Sequence, residues 1–186
     1  GLQSLCPETD LVVAGCNRGA NLGAAVLGRS GTVSAAVESA FLGVPAMAVS
    51  MYIPPEAFEN GDVGRDDYAA AADATAHLVE RADEAGFFGH ADYLNINAPI
   101  ARECTGEMVV TDPSHVYRMD SEHDGETVTL TNHIWEQMAN GSIPDAAGTD
   151  RRAVVEGKIS VSPLAAPHPT EHHPGLDAAA EEYDRR

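Results

Sequence analysis

The residues best suited to chemistry lie in one glycine-rich segment near the N-terminus. Asn17 and Asn21 offer neutral amide oxygens, which hard cations such as Mg²⁺ and Mn²⁺ accept as ligands. Ser30 and Thr32 place hydroxyl groups on either side of Gly31, where a helical pattern begins. The free N–H groups of a helix start, together with the helix dipole, favour a bound phosphate. The segment therefore predicts an anion site that a divalent cation could share.

The same segment also has a simpler interpretation. Its glycines could form a tight turn, and Ser30 could do no more than cap the helix. Spacing alone does not separate the two interpretations. The segment matches neither G-x-x-x-x-G-K-[ST] nor G-x-G-x-x-G, so a P-loop and a dinucleotide-binding turn are both excluded.

The elements that flank this segment follow a strand–loop–helix–strand order. Residues 10–15 form a short apolar run ended by glycine, which is typical of a buried parallel strand. A helix is predicted from Ser30 to a stop at Gly43, and residues 45–50 form the next strand. The predicted apolar stripe of the helix is Val33, Val37, Phe41 and Leu42. This order predicts a βαβ unit with a parallel sheet, and the segment leaves the strand end at which ligands bind in such sheets.

The rest of the chain predicts an α/β core followed by an arm. We expect helices and strands at residues 67–84, 93–97, 158–161 and 175–183. Two short strand patterns flank Asp124-Gly125, whose residue types tolerate the positive φ of a hairpin turn. The organisation we predict is one domain over residues 1–186, with an arm-like extension at about residues 107–147.

Charge and composition narrow the classes of partner. The chain has 29 acidic and 11 basic residues and a formal net charge of -18, which argues against nucleic acid or an anionic membrane as a partner. No apolar run approaches the roughly 18 residues that span a bilayer, and residues 1–10 lack a signal-peptide pattern. Three scattered cysteines indicate a reducing cytoplasm. The acid surplus, with Lys158 as the single lysine, favours adaptation to high salt over an ordinary acidic protein.

Several motifs, in the order they follow along the chain, resemble the SurE family of survival-protein nucleotidases. They are residues 11–23 with the pattern Gly-x-Asn-x-Gly-x-Asn-x-Gly, residues 30–36 with Ser-Gly-Thr-Val-x-Ala-Ala, residues 43–50, residues 94–99 with Leu-Asn-x-Asn-x-Pro, and residues 148–150 with 157–164. The resemblance implies a three-layer, Rossmann-like α/β fold with a C-terminal β-hairpin arm. It also implies a divalent-metal-dependent 5′-nucleotidase that hydrolyses nucleoside monophosphates and assembles through its arms into dimers or tetramers.

By the same resemblance, individual residues take roles. Asn17 would be a ligand of Mg²⁺ or Mn²⁺, and the substrate phosphate would be held by Asn21, Ser30, Gly31 and Thr32. Where the family usually has tyrosine before Ser-Gly-Thr, this chain has Arg29, which would either contact phosphate or lie on the surface.

The chain also departs from the family pattern. The family's Asn-Asp-Asp-Gly motif, which supplies an Asp pair to the metal, does not occur in residues 1–186, and by the resemblance we expect its place to be before Gly1. Asp66-Asp67 is no substitute, since it follows Arg65 at a predicted helix start. The alternative function is therefore an inactive fragment or a phosphate-binding module. His168, His172 and His173 could form a metal cluster, but their spacing matches no zinc pattern and a solvated tail is favoured.

Overall fold

The computed structural model describes residues 1–167. The predictions for the terminal helix at residues 175–183 and for His168, His172 and His173 lie outside the described residues. Within residues 1–167, no helix is long and apolar enough to cross a membrane.

Within the described residues, seven strands form one five-stranded sheet and one hairpin. They are β1 (Val12–Arg18), β2 (Ala46–Tyr52), β3 (Tyr93–Pro99), β4 (Met108–Val110), β5 (Met119–His123), β6 (Val128–Asn132) and β7 (Ile159–Leu164). The order in the larger sheet is β1-β2-β3-β7-β4. β1, β2 and β3 are parallel, and so are β4 and β7, but β7 runs antiparallel to β3. The sheet is thus mixed rather than wholly parallel, because the chain returns to the carboxyl edge of β3 before β7 begins.

Six α-helices of residues 1–167 connect these strands. They are α1 (Ala24–Leu27), α2 (Gly31–Phe41), α3 (Pro55–Glu59), α4 (Ala69–Ala85), α5 (Ile134–Ala139) and α6 (Asp150–Val155). α2 packs on the sheet face that carries Ala46 and Ala48, and α4 packs on the opposite face, against Met47 and Val49. Since successive side chains of a strand point to opposite faces, the sheet lies between two helical layers. The predicted three-layer α/β class is confirmed.

The predicted apolar stripe of α2 is only half right. Val33 is buried and Val37 half-buried, whereas Phe41 is 58% and Leu42 40% exposed. The buried side of the helix runs instead through Val33, Ala36 and Ser39. At about 100° per residue, Phe41 and Leu42 have turned away from that side. The small side chains of Ala36 and Ser39 let α2 lie close to the sheet.

The predicted hairpin is confirmed. β5 and β6 pair antiparallel, and their turn contains Gly125 at a φ of 105°. The Asp124 carboxylate accepts hydrogen bonds from the N–H groups of Glu126 and Thr127, which fixes the turn. Both strands are exposed along their whole length. A two-stranded ribbon without packing on either face is marginal in water.

Candidate functional site

A bulge in β1 sets the direction of Asn17. The β1–β2 register shifts between Ala14 and Asn17, and bulges commonly redirect a side chain near a site. At the bulge, Gly15 lies so close to β2 that a Cβ atom would stand 2.3 Å from the Val49 carbonyl oxygen. Only glycine fits there. The shift leaves Asn17 opposite Ser50, and therefore on the same sheet face as α2.

Asn17 belongs to a row of polar residues that crosses the sheet. The register pairs Asn17 with Ser50, Ser50 with Asn97, and Asn97 with Ser160. Paired residues of neighbouring strands share a face, so four polar side chains stand in line near the carboxyl ends of the parallel strands. Asn17 Nδ2 donates to the Gly19 carbonyl oxygen at 2.7 Å. Its Oδ1 accepts no hydrogen bond from residues 1–167.

Asn21 fastens the loop to this row. Its N–H donates to Asn97 Oδ1 at 2.8 Å, and its Nδ2 donates to Ser50 Oγ at 2.7 Å. Its carbonyl oxygen accepts from Asn95 at 2.9 Å and from Asn97 at 3.1 Å. Asn21 is buried and its amide nitrogen is already engaged, so the structure gives it a positioning role. Its predicted contact with phosphate stays a prediction.

Ser30, Gly31 and Thr32 form the start of α2. Ser30 Oγ accepts a hydrogen bond from the Val33 N–H at 3.1 Å, so the predicted N-cap is confirmed. Gly31 is exposed and Thr32 half-buried. No helical carbonyl is available to the N–H groups of a first turn, and an anion could accept hydrogen bonds from them. The cap and the phosphate site are compatible, and the phosphate site stays a prediction.

Asp150 ties the loop to the base of the arm, a role that sequence analysis did not assign. Its side chain is fully buried. Oδ2 accepts from the Gly23 N–H at 2.6 Å, and Oδ1 accepts from the N–H groups of Ser114 at 2.9 Å and Arg151 at 2.7 Å. Burial raises the pKa of Asp150, and these hydrogen bonds oppose that rise. We call these three contacts the Asp150 tether. In the sequence, the only sign of this role was the position of Asp150 in residues 148–150, a motif that resembles the SurE family.

A buried ion pair supports the tether. Arg151 Nε lies 2.9 Å from Asp145 Oδ1, and both side chains are almost wholly buried. The two groups are not aligned as a hydrogen bond, so their attraction is mainly coulombic. The Arg151 guanidinium also donates to Ser114 Oγ at 2.5 Å and to the Val116 carbonyl oxygen. The pair thereby fixes the segment at which the arm leaves the sheet.

Arg29 contacts the same segment from the loop side. Its guanidinium lies 5.5 Å from the centre of the Tyr117 ring and donates to the Tyr117 hydroxyl at 3.1 Å. Of the two roles left open for Arg29, the structure shows an exposed residue held by an aromatic partner. A cation–π contact of this kind contributes about 0.5–1 kcal/mol at an exposed site.

The described residues supply part of a metal site. Asn17 offers one oriented oxygen without a hydrogen bond, which suits one position around a hard cation. Within residues 1–167, no group of three or more His, Cys, Asp or Glu side chains could hold a metal ion. Asp67 is engaged elsewhere, since it accepts from the Gly64 N–H and pairs with Arg102. The described part of the chain therefore offers one ligand of a site but not a complete set.

Comparison with known proteins places these features in one family. The family model "Survival protein SurE" matches residues 1–120. The 5′-nucleotidase SurE of Haloarcula marismortui is 63% identical over 187 residues, which cover 99% of this chain and 70% of that protein. The 5′-nucleotidase SurE of Natronomonas pharaonis is 60% identical, covering 98% of this chain and 72% of that protein. This chain belongs to the SurE family.

A solved structure agrees with the fold. The SurE protein from Aquifex aeolicus matches with a TM-score of 0.68 at 24% sequence identity, covering all of this chain and 70% of that one. At this identity the match concerns the fold alone.

Proposed function

We propose that this chain is a phosphoric monoester hydrolase that acts as a 5′-nucleotidase and releases phosphate from nucleoside monophosphates. The observation that carries the proposal is the loop that Asn21 fastens to the row Asn17–Ser50–Asn97–Ser160 and that leads into the open first turn of α2. Membership of the SurE family and the names of its halophilic relatives support it. In this arrangement fixed N–H and hydroxyl donors would face the phosphate, and such donors stabilise charge that develops during phosphoryl transfer.

We assign the phosphate to Asn21, Ser30, Gly31 and Thr32, and one metal position to Asn17. A divalent cation, Mg²⁺ or Mn²⁺, would supply charge stabilisation at the phosphoryl group when bound. Asn17 is suited to hold it because the hydrogen bond to Gly19 orients its amide. The loop glycines give the backbone close access to the ligand, and the Asp150 tether keeps the loop in place.

The first test replaces Asn17 with alanine in the enzyme. Phosphate release from a nucleoside monophosphate should fall at least about tenfold at limiting Mn²⁺, since metal sites lose that much when a supporting group is removed. Mn²⁺ binding measured by electron paramagnetic resonance should weaken in parallel. Asn60→Ala, on the exposed end of α3, is the control and should behave like the wild type. Undiminished activity and binding for Asn17→Ala would contradict the assignment.

The alternative function is a phosphate-binding module or an inactive fragment. It is favoured by one observation, the incomplete set of metal ligands within residues 1–167. The two functions differ in a direct assay on the 186-residue chain, purified free of other phosphatases. Release of phosphate excludes the alternative, whereas binding of inorganic phosphate without turnover supports it.

We further propose that the enzyme is a homodimer or homotetramer joined through the β5–β6 arm. Val128 and Leu130 share one face of the ribbon and are 59% and 61% exposed, and such an apolar face is stable in water only when covered. Light scattering in concentrated KCl should give a multiple of the chain mass. The double change Val128→Thr and Leu130→Thr should shift it toward the monomer, while Thr129→Val, on the other ribbon face, should not. A strictly monomeric wild type would contradict the proposal.

The acidic surface and the anionic substrate are compatible under the conditions we propose for this protein, a salty cytoplasm. Salt screens the net charge of -18 over distances of about 3 Å at 1 M. Near the loop, Arg18 and Arg29 add positive charge; each is held over an aromatic ring, that of Phe58 and Tyr117 respectively. Free Cys6, Cys16 and Cys104 fit a reducing compartment.

A further inference from the structure

A cavity lies at the carboxyl ends of β2 and β3. It has a volume of about 440 Å³ and begins where Tyr52 and Pro99 end these strands. Pro54, Glu103 and Glu156 continue its wall. Small-molecule sites occupy roughly 300–1,000 Å³, so the volume suits a ligand the size of a nucleoside. No site residue predicted from the sequence lines this cavity.

Tyr52 is the residue that points to a ligand. It is only 6% exposed, and its hydroxyl makes no hydrogen bond to any of residues 1–167. The hydroxyl oxygen is not among the atoms of these residues that are both buried and unpaired, so it is accessible to a ligand, and the polar end of a largely buried tyrosine commonly binds a partner. Since Tyr52 lines the cavity, the missing partner would come from the cavity itself.

The charges of the lining select the kind of ligand. Burial raises the pKa of Tyr52, and the nearby Glu103 carboxylate raises it further, so the phenol stays protonated at neutral pH. Glu103 and Glu156 are acceptors that attract hydroxyl and amino groups. Glu156 also pairs with Lys158 at 3.6 Å, so Glu103 is the carboxylate that repels phosphate. Thr105 is already engaged, because its hydroxyl donates to the Gly157 carbonyl oxygen. The cavity thus favours a neutral ligand rich in hydrogen-bond donors.

The cavity adjoins the loop that carries the proposed phosphate site. Ser50 and Tyr52 are two residues apart on β2 and therefore face the same side of the sheet. Ser50 binds Asn21, and Tyr52 packs in the same buried cluster as Leu22, the next residue of the loop. The start of α2 and the Tyr52 cavity are hence on one face, at the carboxyl edge of the parallel strands.

We propose that the Tyr52 cavity holds the nucleoside portion of the substrate, whose ribose hydroxyls donate to the Glu103 and Glu156 carboxylates and hydrogen-bond with the Tyr52 hydroxyl. Carboxylates recognise ribose hydroxyls in this way in dinucleotide sites. The inference rests on the proposed nucleotidase function and deepens it. The Glu103 carboxylate disfavours phosphate in the cavity, so a nucleotide has one favourable orientation, with the phosphate toward α2.

The test compares two phosphate esters in the enzyme and two of its variants. Tyr52→Phe should raise the KM for adenosine 5′-monophosphate about tenfold, the effect of about 1.4 kcal/mol, with little change in kcat. Glu103→Gln should act in the same direction. Hydrolysis of p-nitrophenyl phosphate, which has no nucleoside, should be unchanged in both. Tyr68→Phe and Glu59→Gln, neither of which lines the cavity, are matched controls.

A direct binding measurement separates this inference from the proposed function. Adenosine, which has no phosphate, should bind the wild type in calorimetric titration and bind Tyr52→Phe about tenfold more weakly. An enzyme that hydrolyses neither ester but still binds adenosine in this way overturns the nucleotidase proposal and leaves the cavity assignment standing. Equal losses on both esters, or adenosine binding that Tyr52→Phe does not change, would overturn the cavity assignment.

Discussion

Replacing Asp150 with asparagine should lower kcat/KM for a nucleoside monophosphate by about a hundredfold, although Asp150 lies outside the proposed phosphate and metal contacts. The side-chain oxygen of asparagine can keep the Ser114 and Arg151 N–H groups, which Oδ1 accepts. Its NH₂ group would then face the Gly23 N–H, which Oδ2 accepts at 2.6 Å. The asparagine NH₂ group and the Gly23 N–H are both donors and repel each other, so the loop would lose its attachment at Gly23. A displacement of about 1 Å in a catalytic loop is enough for such a loss.

The stability of Asp150→Asn should fall by about 2–4 kcal/mol, because a charged hydrogen bond is lost and a buried N–H is left without an acceptor. Denaturant unfolding measures this change, and steady-state kinetics measure the catalytic one. Asp112→Asn is a matched control, since Asp112 is exposed and loses the same charge in the same region. A variant that is destabilised yet keeps wild-type kcat/KM would show that the tether does not position the loop.

Replacing Arg151 with methionine should destabilise the fold by about 3–5 kcal/mol. The change removes one partner of the buried pair with Asp145 and leaves that carboxylate without its counter-charge, which is the costly way to break such a pair. It also frees Ser114 and the Val116 carbonyl oxygen. Unfolding in denaturant at constant KCl is the measurement, with the apparent free energy of unfolding as the readout.

Two further variants identify the cause. Arg81→Met removes an exposed arginine that pairs with Glu84 on α4, and should change stability by no more than about 0.5 kcal/mol. The double change Asp145→Leu and Arg151→Met should recover much of the lost stability, because apolar groups can replace a buried pair with little net change. A loss below about 1 kcal/mol for Arg151→Met alone would contradict the buried-pair explanation.

Local features of the fold could be predicted from the sequence because neighbouring residues determine them. The Ser30 cap and the turn at Gly125 each depend on a few adjacent residues. The predicted apolar stripe of α2 was wrong at Phe41 and Leu42, because periodicity gives the spacing of apolar residues but not the side of the helix that contacts the sheet. The direction of β7 depends on where the chain returns to the sheet, and no local pattern records that.

The candidate site likewise has a part that could be predicted from the sequence and a part that could not. The loop that contains Asn17, Asn21 and Ser30 is one continuous segment, so it could be recognised from its composition. The tether joins Asp150 to Gly23 across 127 residues, and Arg29 joins Tyr117 across 88. No periodicity or spacing in the sequence indicates contacts between residues so far apart. Tyr52 gave no signal either, because a tyrosine at the end of an apolar strand is an ordinary core residue until its unpartnered hydroxyl is seen.

The separations within the tether have a consequence for the order of folding. Gly23 is synthesised early, Ser114 much later, and the carboxylate that binds both arrives 36 residues after Ser114. Closing loops of this length is slow compared with forming helices and hairpins. The α2 start and the hairpin can form while the chain is still growing, and Asn21 can already bind Ser50 and Asn97, but the Gly23 N–H has no carboxylate partner until α6 has left the ribosome. The protein therefore completes its binding loop only after most of its chain has been made.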